Sequence, residues 1–140
     1  MKLLRTVRMV AFAGTLLGAG ACDDDSPNAP TVDEVIGSYR ATTLKVTIIP
    51  VTQDVLAAGG SLTFDLAANG ALTGHVKIPS EGVDQDFVGT WKLEGDEVDI
   101  EDIPEVDTFV EDLAFDIRGN TLRADRLIDG VRLQVVMTKQ

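Results

Sequence analysis

The chain has 140 residues and a formal net charge of −11, with 23 acidic residues against 12 basic ones. A surface this acidic repels polyphosphate, so the composition argues against nucleic acid as a binding partner. The single cysteine cannot form a disulfide within the chain, so the fold depends on packing.

The first 21 residues have the layout of a secretory signal peptide. Residues 1–8 carry Lys2, Arg5 and Arg8 without an acid, and residues 9–21 carry no charge. The apolar run is shorter than the roughly 20 residues that a permanent membrane-spanning helix needs. We therefore expect residues 1–21 to direct export.

The end of this region, Leu16-Leu17-Gly18-Ala19-Gly20-Ala21-Cys22, resembles the lipobox of bacterial lipoproteins. The resemblance implies cleavage before Cys22 and lipidation of that cysteine, which would anchor the protein to a membrane of the bacterial cell envelope, on its periplasmic or cell-surface face. The alternative is an ordinary signal peptide with an incidental cysteine. Cleavage would leave 119 residues with a net charge of −14, because the signal holds three basic residues and no acid.

Residues 22–34 are acidic and then rich in proline, with little to bury. This composition predicts a disordered tether after Cys22. The remainder, residues 35–140, has the size of a single domain.

Beyond the tether, apolar and polar residues alternate with a period of two, which is typical of half-buried strands. Tyr39 and Ala41 are out of phase with Leu44 and Val46, which predicts a β-bulge near residues 42–43. Residues 50–60 are predicted to form a longer loop with one helical turn at residues 54–58. The alternation predicts eight strands, at residues 38–49, 61–67, 71–78, 86–94, 97–101, 108–118, 121–128 and 131–138.

Short turns separate most of these strands. Asn69-Gly70 is a favoured pair for a tight two-residue hairpin turn in which both positions need positive φ. Eight strands joined mostly by short turns predict an all-β fold, an antiparallel up-and-down eight-stranded barrel, with a two-sheet β-sandwich as the alternative. Gly74 and Gly89 lie on the inward phase and suit the bends of a small barrel.

Two segments resemble the bacterial lipocalin-like lipoproteins. They are the opening Gly37-Ser38-Tyr39 and the later strand Gly89-Thr90-Trp91-Lys92-Leu93. The resemblance would extend over residues 35–140 and implies a barrel that binds a small hydrophobic ligand.

Few residues suggest catalysis. His75, the single histidine, lies on the polar phase of its strand and is expected to be an exposed bystander. The sequence contains no Gly-rich phosphate loop and no zinc-ligand spacing, so we expect no cofactor and no enzymatic activity.

An acidic run between residues 94 and 112 is the unusual feature of the chain. Calcium is one hypothesis, but acids that alternate with apolar residues are more typical of the solvent face of a strand or a contact patch for a protein. The acids of the run are Glu94, Asp96, Glu97, Asp99, Glu101, Asp102, Glu105, Asp107, Glu111 and Asp112.

Two functional hypotheses remain. In the first, a small hydrophobic ligand lies inside the barrel and quenches Trp91, since Gly74 and Gly89 leave room there; ordinary core packing is the alternative for the inward residues. In the second, the acidic face binds a cationic envelope protein, as an inhibitor or assembly factor would. The candidate ligand-binding residues are Phe64, Leu72, Phe87, Trp91, Phe115 and Leu133.

Overall fold

The structure is a computed structural model, and it describes residues 28–103 and 113–140. No helix in these residues is long and apolar enough to cross a membrane. Besides a 3₁₀ turn at Pro79–Glu81, the elements are α1 (Val32–Val35), β1 (Gly37–Ile48), β2 (Val51–Asp54), β3 (Ser61–Leu66), β4 (Ala71–Ile78), β5 (Val83–Glu94), β6 (Glu97–Glu101), β7 (Ala114–Arg118), β8 (Thr121–Ile128) and β9 (Val131–Lys139).

The strands form one closed antiparallel sheet. From β3 to β9 each strand pairs with the next in the chain, and β1 pairs with both β3 and β9. Eight strands therefore close into an up-and-down barrel, which confirms the predicted fold class and excludes the sandwich. Closure pairs the edges that an open sheet would expose. We call the end where β1 begins the lower end and the end where β1 finishes the upper end.

Strand β2 was not predicted. β3 pairs with residues 37–40 of β1, whereas β2 pairs with residues 45–48. β2 and β3 therefore pair with the same edge of β1, with β2 nearer the upper end. Extended backbone needs hydrogen-bond partners, and folding back through the cis Ile49–Pro50 turn supplies them. The expected helical turn follows β2, and it is closed by the amide of Ala58 on the carbonyl of Asp54 at 3.2 Å.

The predicted bulge is confirmed, since the pairing of β1 with β9 shifts register between Ala41 and Thr43. The other strands agree with the prediction to within a few residues, except that β5 begins at Val83 and not at residue 86. Residues 108–112, the start of the predicted strand 108–118, lie outside the described residues.

The turn at Asn69-Gly70 differs from the prediction. Ala67 and Ala71 pair across a three-residue loop, and Gly70 has positive φ (80°) while Asn69 does not. The Asn69 side chain instead accepts a hydrogen bond from the Ala71 amide at 3.1 Å. This geometry places glycine at the left-handed position of a longer loop.

Helix α1 lies at the lower end and begins within residues 22–34, the segment that was expected to be a tether. Thr31 and Glu34 form a capping box at its start, and Val35 is buried. The Tyr39 hydroxyl donates to the Val35 carbonyl at 2.6 Å, and Lys139 Nζ donates to the Glu34 carbonyl at 2.9 Å. These contacts fix the helix against the barrel.

Candidate functional site

The six candidate ligand-binding residues all lie in the buried core of the barrel. Each side chain is at most 5% exposed, and all belong to one hydrophobic cluster. Phe64 stands between Phe87 and Phe115, with ring centroids 5.8 and 5.6 Å apart and ring planes close to perpendicular. Edge-to-face contacts of this kind are favourable packing geometry. As ligand contacts, the six residues stay a prediction.

The expectation that two inward glycines leave free space is wrong. A Cβ atom at Gly74 would lie 2.7 Å from Cε2 of Phe87 and 2.6 Å from the Thr63 carbonyl oxygen. A Cβ atom at Gly89 would lie 3.0 Å from both the Glu101 carbonyl oxygen and Cγ1 of Ile103. Neighbouring atoms already occupy both positions, so the glycines permit close packing.

Trp91 is fixed at the lower end by its polar groups. Its indole N–H donates to the Ala67 carbonyl at 3.0 Å, and its amide donates to the Gly70 carbonyl at 2.9 Å. Buried tryptophans usually find such a partner for the indole N–H. The tryptophan thus joins the β3–β4 turn to the core.

Exposed apolar side chains gather at the upper end of the barrel. Ile48, Ile49 and Val51 at the β1–β2 turn are 62%, 82% and 66% exposed. Ile48 pairs with Val131 of β9, and the neighbouring strand β8 carries Leu127, which is 71% exposed. We call Ile48, Ile49, Val51 and Leu127 the upper rim. The sequence placed Ile48 on the inward phase of a strand, but β1 extends beyond the core at that point.

The acidic run forms part of the outer surface, as the alternation predicted. Val98 and Ile100 are buried, whereas Glu97, Asp99 and Glu101 face outward on β6. We call Glu94, Glu97, Asp99 and Glu101 the acidic face. Glu105, Asp107, Glu111 and Asp112 lie outside the described residues.

Lys92 lies within the acidic face and binds two of its carboxylates. Its ammonium group is 2.7 Å from both Glu94 and Glu101. The hydrogen bonds raise the pKa of Lys92 and lower the pKa of Glu94. No group of three His, Cys, Asp or Glu side chains that could hold a metal ion is found in residues 28–103 and 113–140.

His75 is held on the outer surface by two carboxylates. Its Nδ1 lies 2.8 Å from Asp86, and its Nε2 lies 3.1 Å from Asp84. The hydrogen bond from Lys77, together with His75, holds the pKa of Asp84 below its usual value. Both ring nitrogens of His75 therefore contact carboxylates of the neighbouring strand β5.

No protein-family model and no curated protein matches the chain. Among solved structures, it is similar to a lipocalin-like protein from Bacteroides uniformis, with 17% identity, a TM-score of 0.48, and coverage of 76% of this chain and 99% of that one. It is also similar to an uncharacterized protein from Bacteroides eggerthii, with 13% identity, a TM-score of 0.42, and coverage of 75% and 98%. The fold described above rests on the strand pairing of this chain itself.

Proposed function

We propose that this chain is a lipid-anchored, non-enzymatic binding protein of the bacterial envelope, and that it binds its partner with the outer surface of the barrel. The observation that carries the proposal is the packing of the interior. Phe64 contacts two other rings, and Phe87 fills the position beside Gly74. A small barrel is either filled by its side chains or holds a small ligand, and contacts of this kind favour the filled state.

The acidic face is the part of the outer surface that suits a protein partner. Its four carboxylates lie on adjacent strands β5 and β6, and Lys92, together with Arg126 at 3.8 Å from Glu97, neutralises only some of their charge. Charges arranged on a rigid sheet attract a complementary surface and steer its approach. The partner we propose is therefore a cationic protein of the envelope.

Co-purification tests this function directly. The full chain is expressed in a bacterial host, cross-linked and isolated, and its retained proteins are compared with those of a Glu97→Gln/Asp99→Asn variant. We expect a basic protein to be lost from the variant. A matched control, Asp33→Asn/Glu81→Gln, removes two exposed acids elsewhere and should retain it. Equal retention by both variants would contradict docking through the acidic face.

Binding of a small apolar molecule is the second candidate function. The upper rim favours it, since exposed large apolar side chains at one end of the barrel are typical of a binding site. An apolar dye that fluoresces on binding should then bind the full chain and lose affinity in Ile49→Ser/Val51→Ser. A Val88→Ser variant removes a similarly exposed side chain from β5 and serves as the control.

A further inference from the structure

Three basic side chains that have no carboxylate partner among the described residues lie together on the barrel. The described residues include nine Lys and Arg side chains, of which Lys77, Lys92, Arg126 and Arg132 form ion pairs and Lys139 binds a carbonyl. Within the described part of the chain, the remaining four have no carboxylate within 4.0 Å. They are Arg40, Lys45, Arg118 and Arg123. Three of these four, all except Arg40, line a single cleft. In a chain with almost twice as many acids as bases, this grouping needs an explanation.

The cleft has a volume of about 510 Å³ and lies on the outer faces of β1, β9, β8 and β7. Lys45 of β1 is opposite Gln134 of β9, and Arg123 of β8 is opposite Val136 of β9. Arg118, at the end of β7, completes the cationic lining. Lys45 is half-buried, whereas both arginines are exposed. Four adjacent strands of a closed sheet therefore hold these side chains on one rigid surface.

The carboxylates in the cleft leave it with a positive charge. Asp125 is already bound by Arg132, through Nε at 2.8 Å and Nη2 at 2.6 Å, and by the Gln134 amide at 3.2 Å. Asp116 is the other acid in the lining. Three cations against this one unbound carboxylate give a net charge of about +2, in a protein whose total charge is −11.

We infer that this cleft binds a phosphate group. Guanidinium groups present planar N–H forks that match phosphate oxygens, and an ammonium adds a point charge. The Thr43 hydroxyl adds a neutral hydrogen-bonding group to the same lining. A doubly charged tetrahedral anion would be balanced by the net charge of the cleft. This inference does not depend on the acidic face, which lies on other strands.

The phosphate group has two chemical sources, a free phosphate ester or a lipid headgroup. The net charge of the whole chain opposes adsorption to an anionic lipid surface, so the free ester is the expected source. Both sources share the chemistry that the cleft recognises, and the experiment below separates them.

Calorimetric titration of the full chain in detergent with inorganic phosphate tests the inference. We expect saturable one-to-one binding that weakens by about tenfold or more in Arg118→Gln/Arg123→Gln, because the variant loses the charge-assisted hydrogen bonds of both guanidinium groups. Arg40→Gln removes an exposed, unpaired cation outside the cleft and should change the affinity less than about twofold. Melting temperatures check that each variant folds, and Lys45→Gln replaces the double variant if that one does not.

Vesicles identify the source. Phosphatidylglycerol vesicles that bind the chain in a manner dependent on Arg118 and Arg123 would support the cleft and identify a headgroup. Phosphate binding without such vesicle binding would support the free ester. The inference is overturned if neither phosphate nor vesicles bind through the cleft, or if Arg40→Gln weakens phosphate binding as much as the double variant does.

Discussion

The ring of Phe87 occupies the space that a side chain at Gly74 would need. The two residues face each other across the β4–β5 pair, and Cε2 of Phe87 lies 2.7 Å from the ideal Cβ position of Gly74. Phe87 in turn contacts Phe64, whose other ring neighbour is Phe115. A glycine in the wall thus allows three rings to pack inside.

Gly74→Ala should therefore destabilise the protein by about 1–3 kcal/mol, because extra volume in a packed core forces its neighbours to move. Chemical denaturation, monitored by circular dichroism, measures the change in the free energy of unfolding. Adding Phe87→Leu should recover part of the loss in a double-mutant cycle. An alanine variant as stable as the parent would show that the space beside Gly74 is empty.

Tyr39, the single tyrosine of the chain, should titrate late in the alkaline range. Burial raises the pKa of its hydroxyl above the usual 10.0. Because the folded pKa exceeds the unfolded one, this contribution to stability is present below pH 10 and is lost as the pH rises through the folded value. Tyrosinate absorbance measures the midpoint.

Tyr39→Phe is the matching variant. It removes the hydrogen bond to the Val35 carbonyl and should cost about 1 kcal/mol. Amide hydrogen exchange at Val35 and Ile36 should accelerate as α1 loosens. Unchanged exchange there would mean that the hydroxyl does not hold the helix.

Arg132→Gln should raise the pKa of Asp125. The hydrogen bonds from Arg132 hold that pKa below its usual value, and carbon-detected NMR of the carboxyl group measures it. The depressed pKa stabilises the fold at neutral pH, and this contribution is lost as the pH falls through the folded value. Both side chains are about half exposed, so solvent screens the pair and this contribution is small. An unchanged pKa would contradict the pairing.

Cys22→Ser tests the proposed anchor. With the only thiol removed, the chain should no longer incorporate a fatty-acid analogue and should leave the membrane fraction. Metabolic labelling and fractionation of the host cells measure both effects. A serine variant that is still labelled would mean that the lipid is attached to another residue.

The barrel could be predicted from the sequence because the residues that specify each strand and each turn are close together in the chain. Strict alternation, as in Leu62, Phe64 and Leu66, identifies strands, and glycine-containing turns identify nearest-neighbour pairing. The bulge could be predicted for the same reason, since Ala41 and Leu44 lie three positions apart and interrupt the period of two within β1.

The features that sequence reasoning missed depend on neighbours that are distant in the chain. Strand β2 can pair with β1 because β3 pairs with β1 only as far as residue 40. No local sequence pattern predicts where the pairing of β1 with β3 ends. Likewise, an inward glycine has the same sequence signature whether it leaves a space or accepts a ring. The positions of the Phe87 ring and of the Thr63 carbonyl show that Gly74 leaves no space.

The fluorescence of Trp91 offers the most direct test of the claim that the barrel is a filled scaffold. Trp91 is the single tryptophan and lies at the lower end of the core, so it reports on the interior and not on the upper rim. Titration of the full chain with fatty acids, lipids and apolar dyes should leave its emission unchanged. Phe64→Leu opens space beside two rings, so the Trp91 emission of this variant should respond to an apolar molecule, and the variant is the positive control. A saturable change in the parent protein would contradict the account and assign the interior to an apolar ligand.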